Sequence, residues 1–167
     1  MHTLYLLSVT LHILAAATWV GGMLFLILVV VPWLRRGGRS GAARFLHETG
    51  VRFRDVGWGC FALLAVTGAF NLSVRGVHLA DFGDPRWRAS SFGRAVTVKL
   101  ALFAAAVALS AVHDFWVGPR ATRALSHDAV APEAQRLRGW ASRLGRANAL
   151  VALALVVTAV VLVRGLG

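Results

Sequence analysis

The chain has one cysteine, Cys60, one lysine, Lys99, and one methionine, Met23, besides Met1. A single cysteine excludes an intramolecular disulfide and any multi-cysteine metal cage. Two methionines provide no thioether track of the kind that selects cuprous ion. No phosphate-binding glycine loop, nucleophile elbow or histidine pair at zinc spacing on one helix occurs in the sequence, which sets aside the common soluble-enzyme chemistries. The four prolines are sparse and local: Pro32 near the end of an apolar run, Pro85 after Asp84, Pro119 after Gly118, and Pro132 in a polar connection. Such breakers are expected between helices, and Gly118-Pro119 is expected to stop one.

What is abundant is apolar sequence, 57% of the 167 residues. A membrane span needs about 20 mostly apolar residues. Four runs qualify: Leu4 to Leu34, Val56 to Val74, Ala95 to Val117 and Ala147 to Val163. The expected fold is therefore all-α, an integral membrane four-helix bundle forming one domain over residues 1–167, with no room for a soluble catalytic domain. The first run lacks a basic flank and a small-residue cleavage site, so it reads as a span and not as a secretion signal. Small residues (Ala15, Ala16, Ala17, Gly21 and Gly22 in the first run; Gly57, Gly59 and Gly68 in the second) are expected to let helix backbones approach closely.

The net charge of +11 comes from arginine. Arg35, Arg36, Arg39, Arg44, Arg52 and Arg54 lie between the first two runs, and Arg120, Arg123, Arg136, Arg138, Arg143 and Arg146 between the last two. The middle connection carries Arg75, Arg86, Arg88 and Arg94, diluted by Asp81 and Asp84. The positive-inside rule puts the two richer connections in the cytoplasm and both termini outside. Arginines beside anionic headgroups make the lipid bilayer the expected partner and require no nucleic acid. Trp33, Trp58, Trp87, Trp116 and Trp140 fall near span ends, where indole rings favour the interface, while Trp19 lies deep within a span.

Against this background Lys99 and His12 are the informative residues, because ionisable side chains inside apolar spans are costly. On helical rise, His12 lies roughly 12 Å inside its span and Lys99 roughly 6 Å inside its own, both in the outer half. Thr67 and Asn71 come to similar depths, and Tyr5, His2 and His78 are positioned to ring the mouth. Lys99 could instead snorkel to the headgroups, and His12 could satisfy itself on a neighbouring threonine or carbonyl. If they are functional, neutral imidazole suits a metal, a heme or a proton relay, and the candidate metal ligands are His12, His2 and His78. Protonated Lys99 suits a heme propionate or another anion. A second polar tier, with His113, Asp114, His47 and Asn148, is expected toward the opposite face. A small diheme carrier pairing histidines within each tier is a further possibility.

The run Leu11-His12-Ile13-Leu14-Ala15-Ala16-Ala17-Thr18-Trp19-Val20-Gly21-Gly22 resembles the first helix of the copper-resistance protein D (CopD) family. Val66-Thr67-Gly68 after Arg52-Phe53-Arg54 and Val98-Lys99-Leu100-Ala101-Leu102 resemble its next two helices, and Pro119-Arg120 also fits. The resemblance spans about residues 10–125. It implies a multi-pass protein of the bacterial inner membrane involved in copper handling or transport, with a periplasmic copper-binding protein and a second copy of the chain as possible partners. The same residues, with Val112-His113-Asp114-Phe115, are similar to HemJ, a membrane protoporphyrinogen oxidase that binds heme b. That likeness implies His12 as axial ligand, with Lys99 in the heme or substrate pocket; Trp19, Thr67, Asn71 and His113 are the further candidate cofactor-binding residues. On that reading alone the chain would be an enzyme, a heme-dependent membrane oxidoreductase. A non-catalytic accessory subunit of a membrane complex is the remaining alternative.

Overall fold

The computed structural model describes residues 2–33, 42–128 and 130–164, and within them the regular elements are all helical. Helix α1 (His2–Phe25) continues through a π-type turn (Leu26–Val30) as far as Trp33. Helix α2 covers Ala42–Val74. A 3-10 turn (Leu79–Gly83) and the short α3 (Pro85–Ala89) lead to α4 (Ser91–Ala111). A second π-type turn (Val112–Val117) joins α4 to α5 (Gly118–His127), and α6 covers Pro132–Arg164.

Four helical stretches are long and apolar enough to cross a membrane: His2–Trp33, Glu48–Val74, Ser91–Leu125 and Pro132–Arg164. The all-α, four-span, multi-pass membrane architecture expected from the apolar runs is what the chain adopts. Large aliphatic side chains such as Leu7, Val66, Leu150 and Val157 are more than half exposed. Those surfaces face lipid tails, which are as apolar as leucine, so close packing and polar contacts hold the helices together.

The helices form two antiparallel pairs, α1 with α2 and α4 with α6, joined where α1 meets α6 and where α5 packs on α6 and α2. Small residues make the close approaches. Ala15, Ala106, Ala149 and Ala152 are buried in the core. A methyl group at Gly22 would run into the Phe53 ring, at Gly57 it would touch Trp19, and at Gly68 it would meet His12. Gly21 and Gly59, grouped with these in the sequence reading, have nothing near them. One turn requires a glycine for its conformation: Gly76, with φ of +76°, ends α2 and turns the chain toward the middle connection.

Two expectations need correction. Gly118-Pro119 does not end its helix, which runs on to His127. Proline costs a helix its N–H and a clash with the preceding turn. Here the wider turn of Val112–Val117 comes immediately before it and Pro119 occupies the first turn of α5, where the N–H is dispensable. The turn Leu26–Val30 likewise precedes Pro32, with Val31 N–H reaching back to the Leu26 carbonyl. The polar connection beyond is also more helical than expected. α6 starts at Pro132, and its 33 residues amount to about 50 Å against a hydrocarbon core of about 30 Å. Arg136, Arg138, Trp140, Arg143 and Arg146 thus decorate a helix that projects from the membrane, with Arg143 stacked 5.6 Å from the Trp140 ring centroid. The other expected connection, with Leu34, Arg35, Arg36 and Arg39, lies outside the described residues, as do the side chains of Arg44 and His47.

Candidate functional site between the helix pairs

The interior is layered along the bundle axis. The first polar layer lies toward the chain termini. Tyr5, Ser8 and His12 recur at helical spacing on α1 and face Thr67, Asn71 and Arg75, spaced four apart on α2. His12 Nδ1 lies 2.8 Å from Thr67 Oγ1, and the Thr67 hydroxyl donates to the Leu63 carbonyl at 2.6 Å. Ser8 Oγ donates to the Thr67 carbonyl at 3.5 Å, and Tyr5 accepts from Arg75 Nε and Nη2, both at 3.4 Å.

The Thr67 hydroxyl is in reach of both the Leu63 carbonyl and the ring. When its one hydrogen goes to Leu63, Oγ1 accepts from the ring and Nδ1 carries the proton. The lone pair of His12 is then on Nε2, the nitrogen suited to a metal. Thr67 is buried, at 5% exposure, and α1 stays close to α2 at this level because residue 68 is glycine. The expected rescue of His12 by a threonine is what occurs.

Lys99 lies one turn from Phe103 on α4 and three residues from the buried Val96. Its ammonium is near enough to act on the His12 ring, and Arg75 near enough to act on Lys99. The relation of His12 and Lys99 is electrostatic repulsion when both are charged, and Lys99 makes no ion pair with the described residues. Asn71 is half-buried, its Oδ1 enclosed without a hydrogen-bond partner.

Below this layer lies an aromatic plug. Trp19 packs on Phe61 at 4.8 Å between ring centroids, and Phe61 on Phe103 at 5.9 Å. Met23, Cys60, Leu64, Ala106, Ala149 and Ala152 complete the plug. Trp19, grouped with the cofactor contacts from sequence, belongs to this core and is 3% exposed.

The second polar layer lies at the arginine-rich end, on the π-type turn. His113 Nδ1 is 2.9 Å from Asp114 Oδ1, and Trp58 Nε1–H donates to Asp114 Oδ2 at 3.1 Å. Asn148 Nδ2 donates to Ser110 Oγ at 2.9 Å, while the enclosed Asn148 Oδ1 has no partner. Trp58 and Ser110 were missed from sequence as polar partners. The available signal was Asp114 itself, a carboxylate at a span end that needs donors.

The remaining candidates stay apart from this column. His2 is exposed in the first turn of α1, and His78 is exposed at the mouth, its backbone N–H donating to Asp81 Oδ2 at 2.7 Å. Among the described residues no group of three or more histidine, cysteine, aspartate or glutamate side chains could hold a metal ion.

Compared with known proteins, residues 47–162 match the family described as copper resistance protein D. That stretch includes Thr67, Lys99, His113 and Asp114 and leaves α1, with His12, outside it. An uncharacterized protein of Aquifex aeolicus (strain VF5) is 35% identical over 147 residues, covering 87% of this chain and 86% of that protein. No solved structure matches.

Proposed function

The chain belongs to the copper resistance protein D family, and on that premise we propose that it handles copper within the membrane, taking the ion at His12 as cargo. The observation that carries this reading is the Thr67 hydroxyl. It lies 2.8 Å from Nδ1 and 2.6 Å from the Leu63 carbonyl, a pairing that supports Nδ1 as the donor and Nε2 as the ligating nitrogen. Imidazole is a good ligand for copper. A single protein nitrogen beside the cationic Lys99 binds weakly enough to let the ion leave. Transport requires that combination of entry and release.

The arginine distribution favours the first layer as the extracytoplasmic end and the arginine-rich layer as the cytoplasmic end. A periplasmic copper-binding protein is then the class of partner that would meet the first layer. The test is copper content and cellular copper accumulation for wild type and His12→Ala. Loss of bound copper with altered accumulation supports the reading, and unchanged values on both counts overturn it.

A second reading is favoured by one specific observation. Lys99 has no ion-pair partner among the described residues and acts electrostatically on the His12 ring, an arrangement a heme b could use, with His12 as axial ligand and Lys99 on a propionate. It predicts a Soret band, abolished by His12→Ala, in protein purified after expression with ample heme supply. Colourless protein from such cells rules it out.

A further inference from the structure

We infer that the groove between α4 and α6, at the end of the bundle where α4 begins and α6 ends, binds one phospholipid of net negative charge, its phosphate held by Arg94 and Arg164 and one acyl chain lying along the groove. This surface is separate from the column that holds His12, and nothing in it depends on copper.

Antiparallel α4 and α6 pack closely, and near this end they part to leave about 230 Å³ between Arg94, Ala95 and Val98 on α4 and Val157, Thr158 and Val161 on α6. Thr158 does not make the wall polar, because its hydroxyl donates to the Ala154 carbonyl of its own helix at 2.8 Å. The wall is thus apolar for about one turn on each helix. Val98 and Val157 are 51% and 62% exposed, so the groove opens on the lipid side. Its volume is below the roughly 300–1,000 Å³ of clefts that enclose compact ligands. A slot of this size, open to the bilayer, suits the methylenes of a single chain.

Charge is confined to one end. Arg94 lies at that rim, one turn before Val98. On α6, Arg164 follows Val161 by three residues and Val157 by seven, which places it on the same helix face about one turn further out. Both arginines are exposed, and neither has an ion-pair partner among the described residues. The carboxylates of the neighbouring connection, Asp81 and Asp84, accept the backbone N–H groups of His78 and Arg86. Arginine matches a phosphate in geometry as well as in charge. The depth agrees: Trp87 packs 5.0 Å from Phe82 and 6.5 Å from Phe92 between ring centroids, and indole rings favour the headgroup level. Phe92 is two residues before Arg94, so Arg94 enters the groove from the headgroups while the valines extend into hydrocarbon.

Two arginines without a carboxylate select the headgroup. A phosphodiester of a neutral alcohol, as in phosphatidylglycerol, brings nothing for them to repel. The ammonium of phosphatidylethanolamine would be set against two cations.

The test is native mass spectrometry of the full-length protein in micelles containing equal amounts of phosphatidylglycerol and phosphatidylethanolamine with the same acyl chains. Wild type is expected to retain one phosphatidylglycerol in preference to phosphatidylethanolamine. Arg94→Gln and Arg164→Gln should each weaken that retention about fivefold, the usual effect of one arginine at an anionic headgroup, and the double variant should abolish the preference. Val98→Phe puts a ring into the groove from a side chain already half exposed, and should expel the lipid without disturbing the bundle. Arg88→Gln changes an arginine of α3 that does not line the groove and should have no effect. Equal retention of the two lipids by wild type, or wild-type retention by the double variant or by Val98→Phe, overturns the inference. So does an Arg88→Gln loss as large as that of Arg94→Gln, which would show general attraction to the charged end. A dimer that carries no lipid would put a second copy on this surface and overturn it as well.

Discussion

Replacing Thr67 by valine exchanges a hydroxyl for a methyl on a side chain of the same branching, within the α1–α2 interface. In the native protein that hydroxyl lies 2.8 Å from His12 Nδ1 and 2.6 Å from the Leu63 carbonyl, on a residue that is 5% exposed. The Leu63 carbonyl keeps its helical bond, so the main loss is the partner of His12. Interhelical hydrogen bonds in membranes average about 0.6 kcal/mol and reach about 1.7 kcal/mol. A stability loss of about 1 kcal/mol is therefore expected. The larger effect falls on the metal. With Nδ1 no longer held as a donor, the ring can rotate and exchange tautomers, and loss of such a supporting partner typically costs about 10- to 100-fold in metal affinity. Copper competition titration should show that drop for Thr67→Val and near wild-type binding for Thr67→Ser, which restores the hydroxyl. If Thr67→Val binds copper like wild type, the role of Thr67 in holding the ring is refuted, whatever its effect on stability.

Four further outcomes follow from the same geometry. Lys99→Ala removes a positive charge acting on His12 and should raise copper affinity; under the heme reading the same change should weaken heme retention, so chelator titration and the Soret band respond in opposite senses. Lys99→Arg should be tolerated if the side chain only snorkels and impair function if it serves a pocket, since guanidinium is planar and does not deprotonate; copper accumulation reports which. Copper and protons compete for the histidine nitrogens, so copper retention should fall as pH is lowered through the histidine range and recover as it is raised, as followed by equilibrium dialysis. Gly93→Ala would drive a methyl group into the Trp87 carbonyl where α3 meets α4, and should lower the unfolding midpoint, read by alkylation of the buried Cys60 during a thermal ramp.

The four spans were legible because apolar runs of sufficient length have few alternatives in a bilayer, and counting helical rise along them brought His12 level with Thr67. The extent of the helices was not legible. Pro119 reads as a stop by every local rule, and only the π-type turn ahead of it shows how the chain continues. The partner of Asp114 was hidden for a different reason: Trp58 lies near a span end and looked like an interface anchor, whereas its indole proton turns inward. Nor could spacing reveal that His2 and His78 stay at the surface, since mouth residues share a depth without sharing a centre. The contrast between a cationic first layer and a carboxylate-backed second layer emerged only once Arg75, Lys99, Trp58 and Asp114 could be located relative to the two histidines.

The central claim is that His12 takes copper, and metal analysis of copper-loaded, detergent-purified wild type beside His12→Ala, with oxidised and dithionite-reduced spectra of both, tests it most directly. The account predicts copper without heme bands in wild type and a lower copper content in His12→Ala. Equal copper content in the two proteins, or a reducible heme spectrum in wild type, would contradict it.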